Sequence, residues 1–201
     1  MDYDNRLYTS TYYFFNYLLR FYDFAKGTDF SFIDNSVIGN GREPYYATPA
    51  ASFAKLKRCI DRNLDRGIGH NILDIGCGKG LMLYFFSHFG FERISGIEYD
   101  KRLSLTAKKN LKRLGAHNID IYNGDARLFR KYSDYDVFYL YNPFDRDTLC
   151  DVIKRIITSL DKAPRPLYLF YCNPRYEDIL TEHGFKETNR FYYKTKVFVY
   201  E

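Results

Sequence analysis

The sequence has no tryptophan, only four cysteines and four histidines, and no block of acidic or basic residues. Cys59, Cys77, Cys150 and Cys172 show no C-x-x-C spacing, which excludes a disulfide framework and paired-cysteine metal ligation. His70, His88, His117 and His183 stand singly near element ends without ligand spacing, so no metal is expected. No apolar run approaches the ~20 residues needed to span a bilayer, and no charged-then-apolar leader opens the sequence. These absences predict a cytoplasmic protein with reduced thiols and no membrane partner. The net charge of +5 is spread along the chain. Its densest cluster, Lys108, Lys109, Lys112 and Arg113, has helical spacing and reads as a solvated helix face. A nucleic-acid partner is therefore possible but not favoured.

What is present is a chain of 201 residues with 46% hydrophobic and 27% charged residues, enough for one domain with its own core. Residues 1–49 read as an N-terminal helix and loop, a cap or lid. Aromatic and leucine positions through Leu18, Leu19, Phe21 and Tyr22 have helical spacing up to Gly27, and a loop rich in Gly, Asn, Asp and Pro follows. Thr48 and Pro49 suit a helix start, and Phe53, Leu56, Ile60 and Leu64 then line one face.

From residue 70 short apolar runs alternate with helical patterns. Strands are expected at 71–75, 93–98, 118–122, 136–141, 167–172, 185–192 and 195–200. Helices are expected at 79–88, 101–114, 145–160 and 174–183, with a helical turn near 126–131. Strand–helix alternation implies right-handed βαβ units and a mostly parallel sheet covered on both faces. The last two strands have no helix between them, so they pair antiparallel or lie apart. The expected fold is an α/β, Rossmann-like, seven-stranded sheet over residues 50–201, with an antiparallel last strand and an N-terminal helical extension.

The residues that carry chemistry begin with Asp74-Ile75-Gly76-Cys77-Gly78-Lys79-Gly80, between a strand and a helix. Glycines there let the chain turn sharply and a ligand approach closely. The helix start beyond offers unpaired N–H groups, and nucleotide cofactors bind at this end of a parallel sheet. A dinucleotide fingerprint would be G-x-G-x-x-G, but Leu81 holds its third glycine position. The acid two residues before Gly76 suits a ligand with an ammonium group and would repel a diphosphate. Cys77 reads as a small residue filling the turn, and Lys79 as solvent-facing.

These residues resemble the first motif of the class I S-adenosylmethionine (SAM)-dependent methyltransferases, an acid followed by G-x-G-x-G. The resemblance extends over residues 50–201. It implies SAM as cofactor, with Asp74, Gly76, Cys77, Gly78 and Gly80 around its methionine part. It also implies Glu98 on the ribose hydroxyls, Tyr99 against the adenine, Asp125 at the adenine amino group and the Ala126 N–H at a ring nitrogen. Tyr141-Asn142-Pro143-Phe144 is similar to the N-P-P-[FY] motif of amino-group methyltransferases, with one proline fewer. It implies catalytic roles for Asn142, Pro143 and Phe144, with Asn142 also beside the cofactor. Tyr45, Tyr46 and Thr48 are candidate substrate contacts. The expected activity is that of a transferase moving a methyl group to an acceptor, a nitrogen of a small molecule or protein side chain. Alternatives are a nucleic-acid amino methyltransferase, a non-catalytic SAM-binding module and an NAD(P)-dependent oxidoreductase.

Overall fold

The computed structural model describes residues 17–31, 53–64, 70–191 and 195–201. In chain order the elements are α1 (17–26), α2 (Phe53–Asn63), β1 (Asn71–Ile75), α3 (Leu81–Phe86), β2 (Arg93–Glu98), α4 (Lys101–Arg113) and β3 (Ile119–Asn123). They continue with β4 (Val137–Tyr141), α5 (Arg146–Thr158), β5 (Leu167–Cys172), α6 (Glu177–Glu182), β6 (Lys186–Phe191) and β7 (Thr195–Tyr200). Short 3-10 turns cover Ala126–Leu128, Tyr132–Asp134 and Ser159–Asp161. Among the described residues no helix is long and apolar enough to cross a membrane.

All seven strands form one sheet in the order β3-β2-β1-β4-β5-β7-β6. The first five are parallel, while β7 runs antiparallel to both β5 and β6. The helix-less last pair therefore meets as a hairpin, and β7 lies inside the sheet, between β5 and the edge. The strands are apolar on both faces because helices cover both. Ile72, Tyr139 and Phe170 pack with Leu56, Cys59, Ile60, Phe86 and Leu111 on one side. Leu73, Phe138, Leu140 and Leu169 pack with Leu149, Val152, Ile153, Ile156, Ile179 and Leu180 on the other. Strand order reverses between β1 and β4, so the connections leaving those two strands diverge and open a crevice at their carboxyl ends, where ligands bind in such sheets.

Several element ends differ from the pattern-based expectation. Helix α3 starts at Leu81 rather than 79, because Gly80 is left-handed at φ 84°. Helix α6 starts at Glu177 rather than 174, because Tyr176 before it is non-helical at φ −127° and ψ 48°. Asp100 caps α4 by accepting from the N–H groups of Arg102 and Leu103, and Asp145 caps α5 by accepting from Thr148. Lys108, Lys109, Lys112 and Arg113 are exposed on α4, as expected of a solvated face.

Lys79 corrects the sequence reading. It is buried at 2% exposure, and its Nζ lies 2.8 Å from Asp29 Oδ1. A lysine in the interior needs such a partner, and this one comes from the segment after α1. Asn110 ties that segment down further. Its Oδ1 accepts from the Asp29 N–H, and its Nδ2 donates to the carbonyls of Asp29 and Lys79. Asp23 accepts from the Thr28 hydroxyl and from the backbone of Phe30 and Ser31, and Phe30 is fully buried. The turn at 27–31 is thus fastened over the glycine loop and the inner face of α4.

Candidate functional site

The carboxyl end of β1 and the following turn form one wall of the crevice. Gly76, Gly78 and Gly80 are all left-handed, at φ 82°, 53° and 84°, a conformation other residues adopt only under strain. The Gly76 and Cys77 N–H groups both reach the Ile97 carbonyl, at 2.9 and 3.1 Å, pinning the loop to β2. Space here is as restrictive as conformation. A Cβ on Gly76 would stand 2.7 Å from Pro143 Cβ, and one on Gly96 of β2 would stand 2.6 Å from Cys77 Sγ. The glycine loop therefore lies directly against both β2 and the turn after β4.

Asp74 is 3% exposed and makes no hydrogen bond among the described residues. Its oxygens are not sealed off, since His70 Nε2 is the only sealed side-chain atom lacking a partner among those residues. Burial, followed by the charge of Glu98, pushes its carboxyl well above the ordinary 3.8. A buried acid of this kind, opening onto a crevice beside a second acid, calls for a cationic ligand.

Glu98 ends β2 at 8% exposure. Its Oε2 accepts from the Gly78 N–H at 2.9 Å and its Oε1 from the Asp100 N–H at 2.8 Å. Burial raises its pKa, and those two N–H donors oppose the rise. Cys77 is buried, and burial and the neighbouring Asp74 hold its thiol neutral, in line with its reading as a small filler. Tyr99 presents a ring that is 48% exposed.

Asp125 is more engaged than its motif suggests. It caps the turn Ala126–Leu128 by accepting from the Arg127 N–H at 2.8 Å. Arg127 also holds it through Nε at 3.1 and 3.2 Å and through its terminal nitrogen at 2.7 Å. Ala126 is buried beside it, its carbonyl accepting from the Tyr132 hydroxyl.

The other wall is the turn after β4. Asn142 is 4% exposed, with φ at 40°, and its Oδ1 accepts from the Tyr171 hydroxyl at 3.0 Å. Pro143 lies on Gly76, and Phe144 is partly buried against the α5 side of the core. The structure thus brings Asp74, Gly76, Gly78, Glu98, Asn142 and Pro143 to one edge of the sheet. Tyr45, Tyr46 and Thr48 lie outside the described residues. The sequence reading passed over Tyr171 and Asn173. Tyr171 sits in an apolar run and reads as core, whereas Asn173-Pro174 repeats the Asn-Pro signal at the end of β5.

An open α/β sheet with one reversed strand, carrying an acid and a glycine turn at its switch point, defines a Rossmann-like fold with its crevice at the carboxyl ends of β1 and β4. Residues 72–162 match the family model described as a methyltransferase domain. That stretch runs from β1 through α5 and so takes in the glycine turn, Glu98, Asp125 and the turn after β4. Solved structures share its fold at low identity. The PH0226 protein of Pyrococcus horikoshii OT3 is 15% identical with a TM-score of 0.60, over 75% of this chain and 89% of that one. Magnesium protoporphyrin IX methyltransferase of Synechocystis PCC 6803, solved with SAM, is 18% identical at 0.55, over 75% and 79%. An RNA methyltransferase of Salinibacter ruber, solved with S-adenosylhomocysteine (SAH), is 20% identical at 0.52, over 77% and 92%. Comparison with curated protein sequences finds no match.

Proposed function

We propose that the crevice binds SAM and that the chain directs its methyl group to a nitrogen of a small molecule or protein side chain. The observation that carries this reading is Asp74, a buried carboxylate beside a glycine loop, with no hydrogen bond of its own among the described residues. The ammonium of SAM suits it, and the diphosphate of a dinucleotide does not. When bound, SAM supplies an activated methyl on a sulfonium sulfur. The acceptor nitrogen forms a bond to that carbon as the carbon–sulfur bond breaks, its electron pair staying on sulfur to leave SAH. The protein's task is then alignment and exclusion of water.

Each wall has its share of that task. Asp74 and the N–H-lined turn 76–80 hold the methionine part, and Cys77 keeps the turn compact. Glu98 takes the ribose hydroxyls, and Tyr99 lies against the adenine. The Ala126 N–H meets an adenine ring nitrogen. Asp125, held from behind by Arg127, fixes the turn presenting that N–H and shares its carboxylate with the adenine amino group. Asn142 and the Pro143 carbonyl orient the acceptor, with Phe144 behind them. Residues 1–49 serve as a cap, of which the described segment is anchored through Asp29 and Lys79, and Tyr45, Tyr46 and Thr48 are its candidate acceptor contacts.

Calorimetry with SAM and with NAD tests the cofactor. SAM binding without NAD binding is expected, and the reverse result overturns the reading. Asn142→Ala should keep SAM affinity within about twofold while abolishing methyl transfer; equal loss of both would make Asn142 a cofactor residue.

Asp74→Asn separates stability from binding. A folded-state pKa raised above the unfolded value favours the folded protein below the unfolded pKa, and that contribution is lost as pH rises through the folded value. Wild type and Asp74→Asn should therefore melt together near pH 4 without ligand. The variant should gain in stability on wild type as pH rises above that range, while its SAM binding at neutral pH weakens at least tenfold. Thermal melts across pH with paired calorimetry read both. A variant less stable at pH 8 would show that Asp74 is not an uncompensated buried charge.

A further inference from the structure

The dipeptide Asn-Pro occurs twice, each time where a parallel strand ends: Asn142-Pro143 after β4 and Asn173-Pro174 after β5. Tyr141 pairs with Cys172 across those strands, so the two asparagines are neighbours on the ligand-binding edge. They are the only non-glycine residues with positive φ among those described, at 40° and 49°. Positive φ is uncommon outside glycine, although asparagine tolerates it better than most, and the crowding a proline imposes on the residue before it adds to the strain. Such conformations persist where surrounding structure enforces them, and they concentrate at ligand sites.

Tyr171 enforces this one. Its hydroxyl donates to Asn142 Oδ1 at 3.0 Å, and the backbone of Arg175 and Tyr176 in the loop after β5 lies close enough to lower its pKa against the effect of burial. One phenol thus stands between Asn142 and the loop carrying Asn173. Burial raises that phenol to about 12, so it stays a neutral donor at physiological pH. With Oδ1 turned to Tyr171, the Asn142 Nδ2 points elsewhere and makes no hydrogen bond among the described residues. The Asn173 carboxamide makes none either, and neither group is sealed from solvent. Two uncommitted carboxamides thus stand side by side at the edge where the methyl acceptor must arrive. Lys196, the buried cation beside this edge, is held between Glu177 and Glu187.

We propose that Asn173 is a second acceptor-binding residue, and that the Asn142–Tyr171–Asn173 corner takes a neutral planar group with a hydrogen-bond donor beside an acceptor, a carboxamide or nitrogen heterocycle. The inference rests on the methyltransferase reading and names the acceptor class for that same site. Asn142 Nδ2 donates to the carbonyl or ring nitrogen of the acceptor, and Asn173 Oδ1 takes its N–H. A carboxylate has no donor to offer Asn173.

Calorimetry first fixes the SAH affinity of wild type, Asn173→Gly and Tyr171→Phe. Glycine at 173 retains the left-handed backbone and removes only the carboxamide. The SAH-saturated proteins are then titrated with nicotinamide and adenine as neutral probes and benzoate as the anionic control, followed by ligand-observed NMR. At least one neutral probe should bind wild type, with benzoate at least tenfold weaker. Both variants should lose at least tenfold in that probe's affinity while holding SAH within twofold. Equal probe binding in Asn173→Gly, tighter binding of benzoate, or no binding of either neutral probe to an SAH-loaded protein overturns this inference alone. Failure of wild type to bind SAH overturns the methyltransferase reading, and the inference falls with it.

Discussion

Replacing Glu98 with alanine is expected to weaken SAM binding by at least tenfold while leaving the protein folded. An ionised carboxylate has about four lone-pair positions. Glu98 gives two of them to the Gly78 and Asp100 N–H groups, with the Tyr99 backbone also bearing on it, and the remaining positions are open to vicinal ribose hydroxyls. A hydrogen bond to a charged group contributes about 1.5–3 kcal/mol, and about 1.4 kcal/mol is a factor of ten in affinity. Losing both therefore exceeds tenfold even after partial replacement by water. Alanine also releases the Gly78 N–H, so the loop gripping the methionine part loosens as well. Stability responds in the opposite sense, because burial already disfavours the charged form of Glu98 and its charge bears on Asp74. Glutamine, which keeps one accepting oxygen, should fall between wild type and alanine in calorimetry. Unchanged affinity in Glu98→Ala would remove Glu98 from the ribose and reassign it to loop support alone.

The same residue shows how much the sequence disclosed. Glu98 was legible through the family resemblance, because it ends the apolar strand that follows the glycine turn, where that family carries an acid. The runs 71–75, 167–172 and 195–200 were legible from their local pattern, and the structure places strands on those residues. Features depending on distant partners were not. Lys79 reads as solvated until Asp29, fifty residues upstream, is seen to cover it. Placement of β7 between β5 and β6 depends on which edge the hairpin joins, and no periodicity encodes that. Asp125 matches its motif in type and position, yet its carboxylate faces Arg127. Tyr171 is the instructive case. In an apolar strand a tyrosine reads as core, and only the fold shows its hydroxyl set between Asn142 and the loop after β5.

The contact between the two walls gives a second large effect. Gly76→Ala is expected to lower the melting temperature by roughly 5–15 °C and to abolish measurable SAM binding. Two costs combine there. A left-handed alanine costs about 1–2 kcal/mol, and its Cβ would meet Pro143 Cβ at 2.7 Å, where both partners are backbone-bound and neither can swing aside. Overpacking of this kind adds about 1–3 kcal/mol, and for a chain of this size each kcal/mol shifts the melting temperature by roughly 2–4 °C. Gly115→Ala supplies the internal control. Gly115 is also left-handed, at φ 72°, but a Cβ there meets nothing within 4 Å. It should show the conformational cost alone and leave SAM binding intact. The difference between the two melts then measures the clash with Pro143, the contact that sets the cofactor loop against the acceptor turn. Equal melts would mean the walls yield to one methyl group, and alignment of methyl and acceptor would then have to come from the Asn142–Tyr171 bond instead.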